Sequence, residues 1–132
     1  MTVIRLETGL VVRELKGNAP WFYAHAKLLS DQEMDDAVAY IKSRIPNVDQ
    51  FFVGQLFGGV WAVDHPPLEP IYNMFCNRYP RADPKTQEQE AAKFLGILVL
   101  KCQIESEETW YVYSSDITNR EYKVNTYFKS KT

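Results

Sequence analysis

The chain has 132 residues, 45% of them hydrophobic and 24% charged, with a formal net charge of −2. That length suits one domain, residues 1–132, burying about two thirds of its unfolded surface in a single core, and the composition excludes a disordered chain. A pI near 5.7 and scattered lysines and arginines argue against a binder of duplex nucleic acid, which carries a basic face.

In chain order, two β-prone runs come first, residues 2–6 and 10–15, joined through Glu7-Thr8-Gly9. They read as a hairpin. Lys16 to Pro20 is a loop by composition. The run WFYAHAKLL at 21–29 reads as a strand, because a helix begins directly after it. That helix carries the strongest signal in the chain. Ser30 stands three residues before Glu33, the capping-box spacing. Asp31 and Glu33 place negative charge at the positive end of the helix dipole. Met34, Ala37, Val38, Ile41 and Ile45 then recur at three- and four-residue steps, one apolar stripe. Arg44 lies in the last turn and Pro46 ends the helix.

Next, Gly58-Gly59 separates two apolar runs within QFFVGQLFGGVWAVDHPP, residues 50–67. Paired glycines between β-prone runs signal a hairpin in which both take positive φ. Pro66-Pro67 opens a second helix, starting a turn later if Pro70 is to be accommodated. Its stripe is Leu68, Ile71, Tyr72, Phe75, Cys76 and Tyr79, with Asp64 placed to cap it. Asp83-Pro84 reads as the cap and first position of a third helix, 84–95, and Gly96 as its stop. The remainder reads as three antiparallel strands, 97–105, 109–115 and 121–128. Leu98, Leu100, Cys102 and Ile104 share a face in the first, Trp110 and Val112 in the second, and Tyr122, Val124 and Phe128 in the third. Tyr111, Tyr113, Lys101, Lys123 and Tyr127 fall on the opposite faces. The expected fold is α+β, a mainly antiparallel sheet with two or three helices. The order of elements from 21 to 105 matches a ferredoxin-like (split βαβ) arrangement.

Chemistry-bearing residues are sparse. The cysteines, Cys76 and Cys102, make neither a CxxC pair nor a disulfide framework, and both read as small buried hydrophobes. The two histidines, His25 and His65, are too few and too far apart for a zinc motif; no metal and no cofactor is expected. There is no Gly-x-Ser-x-Gly and no glycine-rich phosphate loop. The triplets His25-Ala26-Lys27 and His65-Pro66-Pro67 lack the hydroxyl of the His-x-Ser/Thr pair that two-histidine phosphoesterases repeat. His65, following Asp64 at the end of a predicted strand, is the one candidate general base, although neighbours on a strand point to opposite faces.

The positive signal is aromatic. Phe, Trp and Tyr make up 14% of the chain, with eight tyrosines, and Tyr and Trp concentrate at interface hot spots. Phe57, Trp61, His65, Tyr111 and Tyr113 are the candidate binding residues. The expected function is that of a small regulatory or accessory protein that binds another protein, or a second copy of itself. The alternatives are a small-ligand binder with a tyrosine-lined pocket, an enzyme using His65, and a weak single-stranded RNA binder stacking bases on its sheet. The last is disfavoured by the absence of Lys or Arg between Arg44 and Arg78. With no charged leader followed by an apolar run, and no apolar stretch of membrane-spanning length, the expected location is cytoplasmic, away from membranes.

Overall fold

A computed structural model describes residues 2–6, 8–15, 17, 19–106, 108–116 and 123–129. These form an α+β fold of six α-helices and a five-stranded mixed sheet, mostly antiparallel. The helices are α1 (Ala19–Ala26), α2 (Asp31–Arg44), α3 (Val53–Phe57), α4 (Trp61–Asp64), α5 (Glu69–Arg78) and α6 (Pro84–Glu105). The strands are β1 (Thr2–Arg5), β2 (Val11–Val12), β3 (Gln50–Phe51), β4 (Thr109–Asp116) and β5 (Lys123–Lys129), in the spatial order β2-β1-β4-β5-β3. Only the β1–β4 pair is parallel.

The best-signalled helix forms as its sequence dictates. The Ser30 hydroxyl accepts from the Glu33 amide at 3.0 Å, and the Ser30 amide donates to the Glu33 carboxylate at 2.9 Å. Both orphan donors of the first turn are thereby satisfied. Ala37 and Ile41 are buried from its stripe. The first hairpin is present, with Ile4 opposite Val11. α5 starts at Glu69 with Pro70 in its first turn, where a missing N–H costs nothing. Asp83 caps α6, its carboxylate accepting from the Thr86 amide at 2.7 Å.

Several expectations are overturned, and helices outnumber the two or three anticipated. Residues 21–29 are not a strand: α1 occupies the region and buries Phe22 and His25, with Leu29 just beyond it. Those positions lie three or four apart, so helical packing overrides the strand preference of the rings. The Gly58-Gly59 hairpin does not form either. Gly58 ends α3 with φ of 82° and ψ of 173°, a conformation open essentially only to glycine, whereas Gly59 is not among the positive-φ glycines. Residues 97–105 are helix as well, because α6 runs through Gly96 without a break. Its buried residues Ala91, Phe94, Leu95, Leu98 and Cys102 follow the helical step, and the alternation of apolar residues there is what such a stripe leaves when alternate positions alone are counted. With both flanking strands replaced by helices, the ferredoxin-like order is not made.

A further correction concerns register. Val112 pairs with Tyr127, and Tyr111 with Phe128. Tyr127 therefore joins the core at 4% exposure, and Phe128 faces the other way. A one-residue difference in register exchanges every side chain between faces. Tyr122 lies outside the described residues, and only the backbone is described at Lys123 and Val124. Asp64 caps no helix: neither the short 3-10 turn Pro66–Leu68 nor α5 has a side-chain cap.

The core is one cluster. Val3, Phe51, Trp110, Val112 and Tyr127 project from one face of the sheet and meet helical residues that include Phe22, Ile41, Phe75, Phe94 and Leu98. Among the described residues, no helix is long and apolar enough to cross a membrane.

Candidate binding face

Strand alternation sends the residues between the core positions to the opposite side of the sheet. Ile4, Tyr111 and Phe128 stand side by side across β1, β4 and β5, with Tyr113 further along β4. The Tyr111 and Phe128 rings stack with centroids 5.5 Å apart, and Tyr113 meets Phe128 edge-on at 6.0 Å. All four side chains are half-buried. None belongs to the core cluster or packs against it. The face is thus a separate aromatic cluster at the centre of the sheet, supported by the ladders beneath it.

The candidates from the sequence separate into two groups. Tyr111 and Tyr113 lie on this face. Phe57 and Trp61 do not: they are 2% and 9% exposed within the helical core, Phe57 at the end of α3 and Trp61 at the start of α4. Their apolar run is explained by burial among helices. Phe128 completes the face, although alternation groups it with Tyr122 and Val124 away from Tyr127; the pairing of β4 with β5 places it beside Tyr111.

His65 sits beside Phe57 rather than on the sheet. Its Nε2–H donates to the Phe57 carbonyl at 3.0 Å, and its Nδ1 accepts from the Tyr40 hydroxyl. A carbonyl only accepts, so this assignment of the imidazole hydrogen follows from the partners. His25 is held in the same way. Its Nδ1–H donates to the Trp21 carbonyl at 2.8 Å and its Nε2 accepts from the Tyr79 hydroxyl at 2.9 Å. Each histidine therefore links a tyrosine hydroxyl from a distant part of the chain to a backbone carbonyl, and both ring nitrogens are engaged. A metal ligand needs a free nitrogen lone pair, and neither ring offers one in this arrangement. The cation–π contact of Arg44 with Tyr40, 5.7 Å to the ring centroid, further braces α2 at this point. Tyr40 carried no sequence signal as the partner of His65, because the two meet only across the fold.

The remaining titratable groups have structural explanations. Burial pushes the Cys102 thiol up to about 12, which keeps it protonated and inert. Burial also raises the Glu105 carboxyl, but the ammonium groups of Lys101 and Lys42 outweigh it and hold that carboxyl below its ordinary range. Donation from the Thr86 amide holds Asp83 low. Among the described residues, no three His, Cys, Asp or Glu side chains converge as a metal site would require. Compared with protein-family models, curated proteins and solved structures, the chain matches none.

Proposed function

We propose that this protein acts by binding another protein through the face of its sheet opposite the core, centred on Tyr111, Tyr113 and Phe128. The observation that supports this reading is the exclusion of that ring cluster from the core while it stays contiguous across β4 and β5. Pre-organised aromatic surface contributes binding area at small entropic cost, and hot spots are enriched in such rings. Each histidine donates one ring N–H to a backbone carbonyl and accepts from a tyrosine hydroxyl at the other nitrogen, contacts that join parts of the fold away from this face.

The test compares the native chain with Tyr111→Ala and Tyr113→Ala. Proteins captured by the native chain from its own cells are purified and titrated against all three by calorimetry. The reading expects at least one partner whose affinity falls by about 2 kcal/mol or more, roughly thirty-fold, with the melting temperature nearly unchanged. A full set of captured partners indifferent to both substitutions would overturn it.

A further inference from the structure

We propose that the outer edge of β2, with the apolar groove beside it, receives an extended segment of a partner protein as a sixth strand, and that this segment presents apolar side chains at alternate positions with a lysine or arginine next to them. The proposal concerns a different surface from the aromatic face and stands independently of it.

The first observation is the backbone. β2 ends the sheet. The Arg5 amide donates to the Leu10 carbonyl at 2.9 Å and the Arg5 carbonyl accepts from the Gly9 amide at 2.7 Å, so Arg5 is hydrogen-bonded to Gly9 and Leu10 together across a bulge. Pairs alternate in antiparallel ladders, so the next pair, Ile4 with Val11, is the non-bonded one. The amide and carbonyl of Val11 consequently point away from β1, to the open side. One regular structure takes a donor and an acceptor in that arrangement, namely another strand.

The second observation is the groove. A hollow of about 210 Å³ lies between β2 and α6, lined chiefly by Leu10, Val12, Leu15, Ile97 and Leu100. Leu10 and Val11 are 64% and 42% exposed. An edge strand flanked by a helix across an apolar groove is the geometry in which peptides dock by strand addition: ladder bonds supply affinity, and the groove takes every second side chain. The third observation is charge. Among the described residues, Glu14 is the one ionisable residue lining the groove. It is exposed and has no ion-pair partner among the described residues. A cationic side chain in the incoming strand complements it, and an acidic one is repelled.

The probe is a capped eight-residue peptide of alternating valine and lysine, titrated into the full ¹⁵N-labelled chain and followed by amide chemical shifts. Saturable binding is expected, with the largest shifts at Val11, Glu14, Leu15, Ile97 and Leu100. Replacing the lysines by glutamates should weaken binding by about five-fold, the scale of an exposed charge pair. N-methylation of alternate peptide amides should weaken it by about ten-fold or more, through lost ladder bonds. Glu14→Lys, at an exposed position that leaves folding intact, should reverse the preference between the two peptides. The proposal is overturned by an absence of saturable binding, by shifts centred on Tyr111 and Tyr113, by indifference to N-methylation, or by peptide-independent self-association of the chain that Leu10→Glu abolishes.

Discussion

Gly96→Ala tests the largest departure of this fold from its sequence pattern, since its sign depends on whether a helix ends or continues at that residue. In the structure Gly96 lies inside α6, twelve residues after Pro84 in a 22-residue helix. Its φ is not positive, and a Cβ built there meets nothing within 4 Å. The substitution therefore adds no clash and removes the entropic penalty of a helical glycine. Alanine is favoured over glycine in a helix interior by about 0.8–1.0 kcal/mol. With an unfolding entropy that scales with length, a gain of that size in a chain of 132 residues raises the melting temperature by about 3–4 °C. Thermal and urea melts followed by far-UV circular dichroism read both quantities. If Gly96 instead terminated a helix in the left-handed conformation, alanine would cost about 1 kcal/mol and the melting temperature would fall. A fall refutes the continuous helix, and with it the burial of Cys102 on a helical stripe.

The two adjacent glycines are expected to respond differently. Gly58→Ala places a side chain at φ of 82° and should destabilise by about 1–2 kcal/mol, while Gly59→Ala, with open space around its Cβ, should stay within about 0.5 kcal/mol of native; equal losses in urea melts would contradict the structure. Gln103 is fully buried on α6, and its amide has no hydrogen-bond partner among the described residues. Gln103→Met should therefore stabilise the chain by about 1 kcal/mol, removing a desolvated polar group at similar volume, and a loss of stability on denaturation would show that the amide is satisfied. Asp83 has its folded pKa lowered by the Thr86 amide. The stability it contributes is thus present above its unfolded pKa, near 3.9, and is lost as pH falls through the lower folded value. Asp83→Asn keeps a capping side chain without the titration, so the stability difference between native and variant should be constant at neutral pH and shrink on acidification below about pH 4; a difference independent of pH down to 2 contradicts the cap.

What was legible in the sequence was local. The capping box at Ser30 and Glu33, the cap at Asp83, the proline-opened start of α5, the first hairpin and the β4–β5 pair all follow from interactions within a few residues or from strict alternation, and each is present. So is the α+β class, which rests on composition and on the succession of periodic segments. The tertiary structure decided the rest. The aromatics of α1 prefer strands in isolation, but Phe22 and His25 pack against Phe94, Phe75 and Tyr79 from distant parts of the chain, and packing outweighs a propensity of about 1 kcal/mol or less per residue. Gly96 signals a stop only where the residues after it have nothing to pack against; here Ile97, Leu98 and Val99 are buried, and their burial carries the helix through. The candidate face was half visible: alternation put Tyr111 and Tyr113 together on the side opposite Trp110 and Val112. The third ring required the register. Phe128 and Tyr127 are neighbours of opposite facing, and hydrophobicity ranks them in the order that pairing with β4 reverses, because a ladder moves by whole residues and takes its register from the strand beside it.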